Sequence, residues 1–167
     1  MLIKEKDLYG IKENKVTLVK NFINLEKNYD FNLLSNIIDE NQVQVISHTF
    51  IGNLKDIFQI PSAMNYIQEL KIFFDFFRKL LRYEIDSRDE VDLYFSFTSQ
   101  IGSNHIDPED VYIIGLKGKT IYRIFNTNNE VNEGDLIFIP RGIKHKAIGT
   151  TPRIIASIGY YGKKNVK

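Results

Sequence analysis

The sequence predicts a mainly β chain with added helix (α+β), in which a partly helical front half runs into an all-β back half. Three observations carry this. From residue 91 onward, short β-branched and aromatic runs recur between Gly, Asn and Pro turns, too closely spaced to admit βαβ units. Over 62–81, apolar residues fall in steps of three and four. No linker rich in Pro, Gly or Ser divides the 167 residues. They read as one domain, with strands and helices of 1–90 flanking an all-β core over 91–162.

In chain order, Val16-Thr-Leu-Val19 is a short buried strand. Leu25, Tyr29, Leu33, Leu34, Ile37 and Ile38 space out helix over 25–39, as one or two segments, and 42–50 alternates as a strand. Pro61-Ser62 opens the strongest helix, with Ser62 as its cap. Met64, Ile67, Leu70, Phe73, Phe74, Phe77, Leu80 and Leu81 form its apolar stripe, which covers one face of the sheet or pairs with a second copy as a homodimer. Strands follow over 91–98, 111–116, 120–125, 135–139, 144–148 and 153–160. Gly102, Gly118, Asn128-Asn129, Gly134, Gly142 and Thr150-Thr151-Pro152 mark the turns. Such short strands suit a sandwich or barrel.

Composition removes several classes of function. Without cysteine the chain has no thiolate nucleophile, iron–sulfur cluster or redox pair. With 22 Lys+Arg against 21 Asp+Glu, no basic field argues for nucleic acid. No apolar run reaches membrane-spanning length, and the N-terminus lacks a signal-peptide pattern, so a cytoplasmic protein is expected. Lys163, Lys164 and Lys167 read as a solvated basic tail, and His48 as a structural or rim histidine.

The chemistry concentrates in the back half. His105-Ile-Asp107 places two metal-ligand types at i and i+2, which face the same side of a strand. Gly134-Asp-Leu-Ile-Phe-Ile-Pro140-Arg-Gly142-Ile-Lys-His145 is a glycine turn, an apolar strand, a Pro-x-Gly turn and a histidine three residues later. This spacing resembles the second sequence motif of the cupin superfamily, departing at Gly149, where that motif usually has Asn. The run from Asp92 to Thr98, then His105-Ile-Asp107 and the segment from Glu109 onward, resembles the JmjC-type cupins, which include ribosomal oxygenases and asparaginyl hydroxylases.

That resemblance, covering 91–161, implies a double-stranded β-helix (jelly-roll barrel) with N-terminal helices packed on one sheet. It implies Fe(II) held by His105, Asp107 and His145, leaving about three positions for cosubstrate and O2. It further implies 2-oxoglutarate as cosubstrate and hydroxylation of a small molecule or a peptide or protein side chain. Thr98 matches a hydroxyl that often contacts the cosubstrate. Thr120 stands thirteen residues after Asp107, where these hydroxylases usually place the Lys or Arg that binds its distal carboxylate. Arg153, in phase with Ile155 and Ser157, is an alternative anchor, and Tyr122 lines the wall or the site. Lys119 and Arg123 face outward on a regular strand. Thr120 also leaves room for a second reading: a metal-binding cupin that is a lyase, isomerase or small-ligand binding module.

Overall fold

A nearly continuous buried run near the end of the chain, Arg153 to Tyr160, calls for a sheet covered on both sides. The computed structural model, which describes residues 4–25, 28–48 and 56–165, supplies both covers. The described elements are α1 (Glu5–Lys12), β1 (Thr17–Val19), α2 (Phe31–Asn41), β2 (Ile46–His48), β3 (Ile57–Ile60), α3 (Gln68–Leu81), β4 (Glu90–Ser96), β5 (Gln100–Ile101), β6 (Asp110–Lys117), β7 (Thr120–Ile124), β8 (Thr127–Val131), β9 (Leu136–Ile139), β10 (His145–Gly149) and β11 (Arg153–Tyr160). They pair into a seven-stranded sheet, β1-β9-β6-β11-β4-β3-β2, and a four-stranded sheet, β5-β10-β7-β8. Every pairing is antiparallel.

Alternate residues sort the core into two clusters. Ile154, Ala156, Ile158 and Tyr160 of β11, with Tyr112, Ile114 and Leu116 of β6, pack beneath α3. Phe77 stacks on Tyr112 with centroids 4.3 Å apart, and Phe74 stacks on Tyr160 at 5.1 Å. The Phe-rich stripe of α3 therefore covers its own sheet. On the opposite face Val111, Ile113, Ile137, Ile139 and Ile155 meet Tyr122, Ile124 and Val131 from the smaller sheet. Part of this inner cluster, Val111, Ile113, Ile155 and Tyr122, lines a cavity between the sheets.

The front half differs from expectation in physically readable ways. Asp30, not a residue near 25, starts α2: its Oδ1 accepts from the Leu33 N–H at 2.9 Å. Ser62 does not cap a helix. It sits at φ +50° with its N–H donated to Asp92 Oδ1, a 3-10 turn follows at Ala63–Asn65, and α3 begins only at Gln68. Within 42–50 only Ile46–His48 is strand, and 49–50 lie outside the described residues. The sequence reading missed α1, β3, β5 and β8. Asn128 and Asn129 belong to β8; the turn is Phe125-Asn126, at φ +49° and +67°, the paired left-handed conformation of a two-residue hairpin. The strand expected over 91–98 ends at Ser96.

Nor is Lys164 solvated. Its side chain is 6% exposed; Nζ donates to the Ile11 carbonyl, lies over the Phe138 ring and stands 3.9 Å from Asp110. Lys167 lies outside the described residues. Among the described residues no helix is long and apolar enough to cross a membrane.

Candidate metal centre

Two local devices bring the site together. The turn after β9 is set by Pro140 and by Gly142 at φ +81°, and the Gly142 N–H donates to the Asp107 carbonyl at 2.9 Å. His105 and His145 then form an isolated antiparallel bridge, each N–H donating to the other's carbonyl at 2.9 and 3.0 Å. This pairing extends the edge where β5 meets β10, so residues forty positions apart become direct cross-strand neighbours.

Their imidazole centroids are 4.3 Å apart. His105 Nε2 lies 3.6 Å from Asp107 Oδ1, and His145 Nε2 lies 3.4 Å from Asp107 Oδ2. One ligand atom from each of the three residues falls within 4.8 Å of the others. Both rings are held from behind: His105 Nδ1 is 3.0 Å from the Ser103 carbonyl, and His145 Nδ1 is 3.0 Å from the Ile143 carbonyl. A carbonyl only accepts, so each Nδ1 carries a proton, which in the neutral ring places the Nε2 lone pair toward Asp107. Burial also pushes the His145 pKa below its usual value, which favours the neutral ring. Two neutral imidazoles and a carboxylate so arranged fit a divalent transition metal with positions left open.

The three residues stand in a cavity of about 390 Å³ between the sheets. Arg153, Tyr122, Ser157, Ile155, Val111 and Ile113 line it with them. Arg153 is 3% exposed and, among the described residues, the one Lys or Arg in the lining. Its Nη1 donates to Thr120 Oγ1 at 2.9 Å, and among the described residues no carboxylate lies within ion-pairing distance. Burial lowers its pKa, but a guanidinium is not deprotonated in proteins, so among the described residues the cavity holds a positive charge without an ion-pair partner. The Tyr122 hydroxyl is buried without a hydrogen-bond partner, and burial raises its pKa, keeping it a neutral donor.

The remaining sequence candidates separate cleanly. Thr98 falls outside the group: it is exposed on the bend that follows β4, and Tyr94 lines the cavity from that strand instead. Thr120 carries no charge but holds Arg153. Lys119 pairs with Glu130 at 3.1 Å and Arg123 bonds Asn128, both at exposed positions. His48 lies at the rim, its Nε2 2.7 Å from Gln59 Oε1, and Gln59 donates on to Asp92. Glu109, given no role from sequence, lines the cavity with a buried Oε2 that lacks a partner. The signal that could have found it is its position two residues after Asp107, the same spacing that links Asp107 to His105.

No family's sequence profile matches the chain, and no curated protein matches it in sequence. Solved structures do match. An X-ray structure of Escherichia coli YcfD superposes with a TM-score of 0.76 at 17% identity, over 99% of this chain and 54% of that one. YcfD described as a ribosomal oxygenase in complex with cobalt and 2-oxoglutarate superposes at 0.71 and 18% identity, over 90% of this chain and 49% of that one. The chain thus spans about half the length of these structures. Likeness at this identity is one of fold: the chain is built on a cupin-type double-stranded β-helix.

Proposed function

We propose that the chain is an Fe(II)-dependent oxygenase that uses 2-oxoglutarate and O2 to hydroxylate a small molecule or a peptide or protein side chain. The observation that carries this reading is the unpaired, buried guanidinium of Arg153 in the same cavity as His105, Asp107 and His145. A buried charge without a partner costs several kcal/mol by order of magnitude. A chain that keeps one beside a metal-type donor set is built to receive an anion. 2-Oxoglutarate offers a keto-acid end that chelates metal and, at the other end, a carboxylate for an arginine.

His105 Nε2, His145 Nε2 and an Asp107 oxygen would hold the ferrous ion. When bound, the ion supplies O2 activation coupled to oxidation of 2-oxoglutarate to succinate and CO2, with the second oxygen atom entering a substrate C–H bond. The chain's own part is to bind and orient. Arg153 meets the distal carboxylate with charge-assisted hydrogen bonds. Tyr122 donates a hydrogen bond from its free hydroxyl to an oxygen of the same ligand. Val111, Ile113 and Ile155 keep water from the cavity wall. The Ser103 and Ile143 carbonyls hold both imidazoles in the Nδ1–H tautomer throughout. That YcfD is described with cobalt and 2-oxoglutarate supports this reading.

The test is anaerobic titration of the Fe(II)-loaded chain with 2-oxoglutarate. The expected result is a visible charge-transfer band, followed by succinate release on admitting air. Metal binding with neither band nor succinate would overturn the proposal in favour of a cupin that is a lyase, isomerase or binding module.

A further inference from the structure

We propose that Gly149 and Thr120 are positioning residues whose joint task is to seat the Arg153 guanidinium inside the cavity; this rests on the reading of Arg153 as the anchor for a carboxylate. Gly149 of β10 and Thr120 of β7 are direct cross-strand partners on the four-stranded sheet. Arg153 belongs to β11 in the other sheet, so its side chain crosses from one sheet to the other. A Cβ at Gly149 would lie 2.8 Å from Arg153 Nε, 3.1 Å from Cζ and 3.2 Å from Cδ. The arginine is laid across the bare backbone of Gly149, and its Nη1 is tied at the far side by Thr120 Oγ1 at 2.9 Å.

The glycine is not there for its backbone. Gly149 lies in regular strand and is absent from the positive-φ glycines, Gly118, Gly134 and Gly142. Alanine can therefore adopt its conformation, and the contact a methyl group would make is with the outer end of a flexible side chain. Such a change is tolerated by the fold while the guanidinium must leave its place. Arginine loses much rotamer freedom on ordering, so a single buried pose needs walls on more than one side. Gly149 supplies the clearance and Thr120 the directed hydrogen bond. Valine at 120 would keep the volume and remove the bond; serine would keep the bond.

The experiment compares wild type, Gly149→Ala, Thr120→Val and Thr120→Ser as full chains loaded with Zn(II). Calorimetry measures the dissociation constant for 2-oxoglutarate. The Arg153 Nε–H resonance, identified by its loss in Arg153→Lys, reports on the guanidinium independently of any ligand. Gly149→Ala should weaken 2-oxoglutarate roughly tenfold or more, the scale of a hydrogen bond to a charged group, and move the resonance. Its Zn(II) affinity and melting midpoint should match wild type. Thr120→Val should follow in the same direction by several-fold on the same grounds, and Thr120→Ser should stay near wild type.

Unchanged affinity and an unmoved resonance in Gly149→Ala would overturn the proposal. So would loss of Zn(II) binding or a lower melting midpoint, which would make Gly149 a fold residue. If wild type does not bind 2-oxoglutarate, the cosubstrate reading fails by itself. The resonance then decides the seat alone: moved in Gly149→Ala and Thr120→Val, it stands; unmoved, it falls.

Discussion

The two faces of the seven-stranded sheet are made from alternate residues of the same strands, yet they are finished in opposite ways. Toward α3, the hydroxyls of Tyr83, Tyr112 and Tyr160 end on partners. Tyr83 donates to Asp110 Oδ2 at 2.8 Å, its oxygen lies 2.9 Å from that of Tyr112, and Tyr160 donates to the Phe74 carbonyl. Toward the smaller sheet, among the described residues, Tyr122 Oη, Ser96 Oγ and Glu109 Oε2 are buried without partners and Arg153 has no counter-charge. An unsatisfied buried polar group costs about 1–3 kcal/mol. On the seven-stranded sheet itself, Ser96 of β4 and Arg153 of β11 accept this cost on the inner face, while Tyr112 of β6 and Tyr160 of β11 avoid it on the outer one; the orphan on the outer side, Arg78 Nε, belongs to α3 and not to a strand. The strands' outer face is thus made for stability and their inner face for a ligand.

That contrast can be broken most severely at the metal-type donors. His145→Ala or Asp107→Ala should abolish metal binding, a larger loss than the roughly 10–100-fold that outer-sphere partners cost. The melting curve of the metal-free chain should barely move, and titration with Co(II) checks the first half. The reverse experiment is Phe77→Ala on the outer face. Phe77 is fully buried against Phe22 and Tyr112, so denaturant unfolding should report a loss of about 3–5 kcal/mol. Metal affinity of the folded fraction should be unchanged.

Smaller effects sharpen the comparison. Arg153→Gln should weaken 2-oxoglutarate by roughly 10–150-fold, the equivalent of about 1.5–3 kcal/mol for a hydrogen bond to a charged group. Removing a buried unpaired charge should leave stability equal or higher. A large loss of stability would mean that Arg153 serves the fold. Tyr122→Phe should have the smallest effect, weakening 2-oxoglutarate roughly 2–10-fold while leaving the melting midpoint level or raised, since it deletes a hydroxyl without a partner.

Legibility from sequence followed the range of the forces involved. The segment from Gly134 to His145 was readable because its turns are dictated locally: Gly134 and Gly142 take φ +79° and +81°, and Pro140 fixes its own. β11 was readable to the residue because a β-branched, nearly continuous apolar run follows the Thr150-Thr151-Pro152 turn. β8, Thr-Asn-Asn-Glu-Val, was unreadable because its three central residues, Asn128, Asn129 and Glu130, are poor strand formers; the Phe125-Asn126 hairpin and pairing with β7 hold it in place. Ser62 looked like a helix cap, but a buried carboxylate from β4, thirty residues away, took its N–H.

By itself, then, the sequence determined the period of each long strand, the turns between them and which side chains could serve as metal donors, because these depend on backbone geometry within a few residues. Only the tertiary structure decided the fate of Arg153. A guanidinium at the start of a strand faces water or a cavity according to what lies across from it, and here the opposite sheet presents a missing Cβ and a hydroxyl.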